Sequence, residues 1–97
     1  MSRPIIGLLT LELDIPGTTS LKDKRSILQG LIRRLRGQFN CACAETDYLD
    51  EWESSVLGIT VVSNDGRHCN SMLSQISHWV ETNAHDVSVV SETIEIF

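Results

Sequence analysis

Lys22, Arg25, Gln29, Arg33 and Arg36 recur at steps of three and four within the run S-L-K-D-K-R-S-I-L-Q-G-L-I-R-R-L-R-G-Q-F, residues 20 to 39. At ~100° per residue these side chains share an arc of roughly 80°, so a helix here carries a basic stripe. A row of cations suits the binding of phosphates, whose charge attracts Lys and Arg without regard to base sequence. Just before it, Pro16-Gly17-Thr18-Thr19-Ser20 supplies a turn, hydroxyl groups and a helix N-terminus, and the free N–H groups and dipole of such an end hold anions. Ser20, Lys22, Lys24, Arg25, Arg33 and Arg36 are therefore the candidate anion- or RNA-binding residues. The segment lacks the Gly-Lys-Thr ending of a Walker loop. A plainer reading stands beside this one. Lys22, Lys24 and Arg25 sit where the helix dipole disfavours positive charge, and acidic side chains such as Glu12 or Glu45 would offset that by pairing with them. Arg33, Arg34 and Arg36 fall near the opposite end, where cations are favoured. Lys24 alone lies inside the apolar arc, and its stem is expected on the core with its head reaching water.

Other constellations carry less chemistry. Tyr48 and Trp52 are candidate stacking residues beside the stripe, although a loop tryptophan more often anchors its own loop on the core. Asp47, Asp50, Glu51 and Glu53 crowd the same segment without the alternating acidic positions and sixth-place glycine of a calcium loop, and a solvated acidic loop is expected. Cys41-x-Cys43 is not a zinc or iron–sulfur spacing, even with His68 and Cys69 to draw on. His78 and His85 have no partner at motif spacing. No metal or cofactor is expected, and no catalytic set can be assembled. An RNA-recognition sheet needs stacking aromatics on its exposed central strands. The third strand predicted below has none, so any RNA binding is expected to run through phosphates and shape.

The elements that position these residues follow from periodicity. Leu21, Leu28, Ile32, Leu35 and Phe39 give the basic helix an apolar face. Ser20 is its N-cap, with Asp23 at the third helical position, and Gly37 and Asn40 are stop signals. Pro4 to Ile15 alternates as a strand, with Ile5, Leu9, Leu11 and Leu13 on one face and Ile6, Leu8, Thr10 and Glu12 on the other. Asn40 to Thr46 reads as a short second strand, and Val56 to Ser63, β-branched and uncharged, as an interior third strand. Ser63-Asn64-Asp65 caps a second helix, on which Cys69, Met72, Leu73, Ile76 and Trp79 or Val80 keep helical spacing to about Asn83. Val87 to Ile96 is the last strand. The order βαββαβ predicts an α+β, ferredoxin-like two-layer sandwich: a four-stranded antiparallel sheet with two helices on one face. The other face, with Ile6, Leu8 and Val62, is left open, and an apolar open face invites closure by a second copy, hence a homodimer.

A chain of 97 residues, 41% of them hydrophobic, predicts one globular domain over residues 1–97. Its longest apolar run, Ile5 to Leu9, is far too short for a membrane span, and no signal-like segment opens it. Three cysteines without framework spacing suit a reducing compartment, so a cytoplasmic protein with no membrane partner is expected. The net charge of −5 argues against a general nucleic-acid coat. The charge is nevertheless uneven, because residues 1 to 36 hold seven of the eight basic side chains and three of the 13 acidic ones. That asymmetry places a local positive field on an acidic body.

Ser20-Leu21-Lys22-x-Lys24-Arg25, Phe39-Asn40 followed by Ala44-Glu45, Asp47, Trp52 and Leu57-Gly58-Ile59-x-Val61-Val62-Ser63-Asn64-Asp65 together carry a resemblance. On these residues the chain resembles the YlxP-like small bacterial proteins, a family of unknown function, over nearly its whole length. The resemblance implies the ferredoxin-like fold and a gene found among translation and ribosome-assembly genes, hence a role around RNA. It brings no enzymatic activity. The family tends to have valine where this chain has Cys41 and Cys43, and often histidine where it has Tyr48, which weakens any cysteine chemistry here. The function expected is a non-enzymatic RNA- or ribosome-associated factor that binds phosphates through the first helix. The alternative is a dimeric module that binds a small anionic ligand or a protein partner through the open sheet face. Acylphosphatases share the fold, but the glycine-rich loop with an arginine after their first strand is missing here.

Overall fold

The computed structural model describes residues 3–97. In chain order it consists of β1 (Ile5–Asp14), α1 (Leu21–Gln38), β2 (Ala42–Asp47), β3 (Ser54–Ser63), α2 (Gly66–Asn83) and β4 (Ser88–Ile96). The strands form one antiparallel sheet in the order β2-β3-β1-β4. This is the predicted α+β ferredoxin-like sandwich, with both helices packed on the same sheet face. Alternation in β1 and β3 sets that face. Leu9, Leu11 and Leu13 of β1 and Leu57, Ile59 and Val61 of β3 are buried against Leu28, Leu31 and Leu35 of α1 and Leu73, Ile76 and Val80 of α2.

Strand boundaries and one helix face differ from the sequence expectation, by one residue in β1 and β4 and by more in β2 and β3. β3 starts at Ser54 rather than Val56, because Ser54 and Ser55 pair with Asp14 and Leu13 of β1. β2 runs from Ala42 to Asp47 instead of from Asn40 to Thr46. Its pairing with β3 shifts between Glu45 and Asp47, which leaves Thr46 as the extra residue of a bulge. On α1 the buried positions are Lys24, Leu28, Leu31 and Leu35, while Leu21, Ile32 and Phe39 are half-buried. The helix is thus turned by about 40° from the predicted arc, at ~100° per residue. That rotation brings Leu31 into the core and carries Lys24 with it.

Gly7 shows how tightly α2 sits on β1. A β-carbon there would come within 2.4 Å of Cys69 Sγ and 2.7 Å of Leu73 Cδ1, and both residues are fully buried. Neither side chain has room to swing away. Gly7→Val is therefore expected to lower folding stability by roughly 1–3 kcal/mol, the usual cost of overpacking a filled core. A urea titration checks this, and an unchanged midpoint would contradict it.

On the far side of the sheet, Ile6 pairs with Val62 across β1 and β3 and exchanges two backbone hydrogen bonds with Phe97. All three side chains are exposed, Val62 at 66% and Phe97 at 67%. An apolar row thus crosses the open face at one end. No helix of the described residues is long and apolar enough to cross a membrane.

Candidate functional site

Helix α1 carries most of the predicted site, and its N-terminus is the first place where sequence and structure diverge. Ser20 caps it, its Oγ accepting from the Asp23 N–H at 3.0 Å. The Asp23 carboxylate accepts in turn from the N–H and hydroxyl of Thr19, both at 3.4 Å. The chain thereby supplies its own negative group at the positive end of the helix, where it is favoured. Ser20 acts as a cap and Asp23 takes the place an external anion would occupy.

Lys24 departs furthest from expectation. Its head does not reach water: the side chain is 0% exposed, and Nζ lies 2.9 Å from Glu45 Oε2. Nζ also donates to the Tyr48 carbonyl at 2.5 Å. The buried Ser55 hydroxyl donates to the same Glu45 oxygen at 2.7 Å. The physical reason lies in the bulge at Thr46 and in Tyr48, whose backbone is left-handed (φ 58°). Such a φ is uncommon for a bulky residue. Here it presents one carbonyl to both Lys24 Nζ and the Glu51 N–H. A buried ammonium is tolerable only when paired and hydrogen-bonded, and Lys24 is both. Lys24 therefore leaves the candidate binding surface, and its pairing with Glu45 is one of the two offsets the sequence suggested.

Lys22, Arg25, Arg33 and Arg36 remain, all exposed. Among the described residues Lys24–Glu45 is the one ion pair. The side chains of Lys22, Arg25 and Arg33 make no hydrogen bond there either. Arg36 donates one bond, from Nη2 to the Cys43 carbonyl at 3.1 Å. Arg34 belongs to the other side of α1, stacked 5.0 Å from the Trp79 ring centre with Nη2 bonded to the Asn83 carbonyl at 3.0 Å. At 1.5 Å per residue, the stripe from Lys22 to Arg36 is about 21 Å long. At its C-terminal half a groove of about 370 Å³ opens between α1 and β2, lined by Gln29, Ile32, Arg33, Arg36 and Cys43.

The cysteines beside this groove are chemically quiet. Burial raises the Cys41 thiol, with Arg36 opposing it in part. Burial first and Cys41 second push Cys43 up from 9.0 to about 11, again against Arg36. At pH 8 the thiolate, which is the reactive form, makes up only about a thousandth of Cys43. Alkylation of Cys43 in the folded protein is expected to be slow at that pH and fast after unfolding, as peptide mass mapping would show. Rapid labelling of the folded chain would contradict the burial argument. The linkage has a definite sign: between pH 9 and about 11 the folded state keeps a proton that the unfolded state has lost. This thiol therefore lowers stability as pH rises through that window. Among the described residues no three His, Cys, Asp or Glu side chains are placed to hold a metal ion.

Tyr48 and Trp52 are both exposed, Trp52 at 52%. The loop tryptophan does not anchor its loop on the core. Hydrogen bonds to the loop's carbonyls do that, from the Thr18 side-chain hydroxyl to the Trp52 carbonyl at 2.6 Å and from the Ile15 N–H to the Glu53 carbonyl at 2.8 Å. Trp52 shares a shallow hollow with Asp50, Glu51 and Glu53. Carboxylates so close repel phosphates, so the two aromatics stand apart from the stripe in charge. Sequence reasoning missed the contributions of Thr18, Ser55 and the carbonyls of Cys43, Tyr48 and Trp52. The two hydroxyl residues gave no periodic signal, and carbonyls give none at all.

Fold and site together define a class: a ferredoxin-like α+β sandwich that presents, on the outer face of its first helix, a row of cations with no ion-pair partner among the described residues. Within that class, the chain belongs to the family described as Protein of unknown function (DUF503), whose model matches residues 6–94. It is similar to the Uncharacterized protein YlxP of Bacillus subtilis (strain 168), with 28% identity over 78 residues, covering 80% of this chain and 85% of that protein. The YlxP-like resemblance read from the sequence is thereby confirmed.

Proposed function

We propose that this chain is a cytoplasmic, non-enzymatic RNA-binding or ribosome-associated protein that lays α1 against a run of phosphates. The observation that carries this reading is the unpaired state of Lys22, Arg25 and Arg33 in a protein with 13 acidic side chains. Internal pairing absorbs Lys24, which lies off the stripe, and leaves Lys22, Arg25, Arg33 and Arg36 facing solvent. Lys22 also sits in the first helical turn, where a cation costs about 0.3–1 kcal/mol. A position unfavourable to the helix yet without a partner among the described residues is accounted for by a ligand of opposite charge. The groove beside Arg33 and Arg36 gives that ligand a place to sit. The test is fluorescence anisotropy with a labelled, unstructured RNA. Binding at about 50 mM salt that falls steeply by about 200 mM is expected. No binding at the lower salt would sink the reading.

A second reading is favoured by the row Val62, Ile6 and Phe97. Here a protein partner or a second copy covers the open sheet face, which removes exposed apolar surface from water. Light scattering of the purified chain separates the two readings: a dimer dissociated by Val62→Lys supports the second, and a monomer leaves the first.

A further inference from the structure

We infer that the nucleic acid is held as a single strand, with one phosphate between Arg33 and Arg36 in the α1–β2 groove and its base on a small-residue hollow of the open sheet face. The inference rests on the phosphate-binding reading above. Two hollows meet at the edge of β2. One is the groove already described, whose cations are Arg33 and Arg36. The other, of about 280 Å³, is mostly apolar, with Leu8, Ala42, Ala44 and Gly58 on its floor. Arg36 borders both, so a ligand that reaches from one to the other passes its guanidinium.

The two hollows differ in chemistry as the two parts of a nucleotide do. Arg36 is fixed by a single bond to the Cys43 carbonyl, and a guanidinium has five N–H donors, so most of its fork stays free for a phosphate. Arg33, three residues earlier, adds a second cation with no partner of its own among the described residues. The other hollow exists because its floor is nearly flat. Gly58 has no side chain, and a β-carbon there would meet Thr46 Cγ2 at 3.1 Å and Leu8 Cδ1 at 3.9 Å. The floor spans β2, β3 and β1, two inter-strand spacings or about 10 Å, which suits one base with its sugar. Apart from Arg36 at its border, no charged side chain lines that hollow, and Thr46 and Thr60 are its polar members, so an apolar base face can be covered there without stranding a buried charge. A duplex cannot use such a site, because its bases are paired and stacked within the helix.

The experiment compares a short unstructured RNA with a hairpin duplex of equal length. It uses the wild type, Ala44→Leu, which fills the hollow without changing charge, and Arg36→Gln, which keeps an N–H donor for the Cys43 carbonyl. The single strand is expected to bind at least several-fold more tightly than the duplex. Ala44→Leu should abolish that preference at an unchanged salt slope, and Arg36→Gln should reduce the slope by about 0.7. Equal binding of strand and duplex, unaltered by Ala44→Leu, would overturn this inference and leave the phosphate-binding reading standing. Absence of RNA binding by the wild type at low salt would overturn both.

Discussion

Lys24→Met is expected to cost about 3–5 kcal/mol of folding stability, the penalty for leaving one partner of a buried ion pair without the other. For a domain of this size, whose whole stability is of order 5–15 kcal/mol, that is a large share. The effect follows from placement. Lys24 Nζ is fully buried between Glu45 and the Tyr48 carbonyl, and Glu45 is itself 14% exposed. Without the ammonium, the Glu45 carboxylate keeps only the Ser55 hydroxyl. The double variant Lys24→Met/Glu45→Gln should recover most of the loss, since glutamine leaves an oxygen for Ser55 and removes the stranded charge. Equilibrium urea unfolding of the two single variants and the double variant measures this directly. A loss below about 1 kcal/mol in Lys24→Met, the worth of a solvated surface pair, would mean that the ammonium lies in water after all.

Reversing the outer stripe should do the opposite. Lys22→Glu/Arg25→Glu/Arg33→Glu changes three exposed side chains that have no partner among the described residues, so stability should move by no more than about 0.5 kcal/mol per site. At Lys22, in the first turn of α1, the change to a carboxylate should even stabilise the helix slightly. RNA affinity, by contrast, should fall at least ~100-fold at low salt, because each phosphate contact contributes through the counterions it releases. A variant that folds as well as the wild type and fails to bind places the function on this face of α1. Equal binding by the triple variant would remove the stripe from the site.

These two lysines, two positions apart, show what could be read from the sequence and what could not. Helical periodicity separated Lys24, inside the apolar arc, from Lys22 on the stripe. The order of elements, the two faces of β1 and the uncharged run of β3 were legible for the same reason: side-chain alternation records which face is buried. Glu45 was named as a partner for the cations. What the sequence did not show was the depth at which Lys24 sits, because that depends on the bulge at Thr46 and the left-handed backbone at Tyr48. Neither residue type announces such a conformation. The bonds that fix the site also end on main-chain carbonyls, those of Cys43, Tyr48 and Trp52. Every residue has a carbonyl, so composition and spacing carry no trace of them. Leu31 and Ile32 illustrate a milder limit, since adjacent aliphatics fit either edge of the apolar arc and packing against the sheet chose Leu31.

The most direct test of a phosphate-binding α1 is the salt dependence of RNA affinity, measured side by side for the wild type and Lys22→Glu/Arg25→Glu/Arg33→Glu. The logarithm of the wild-type binding constant should fall linearly with the logarithm of salt concentration, by about 0.7 for each phosphate contacted, with a slope about 2 shallower in the variant. No wild-type binding at about 50 mM salt, or the same slope in both proteins, would contradict the assignment of α1 as the binding surface.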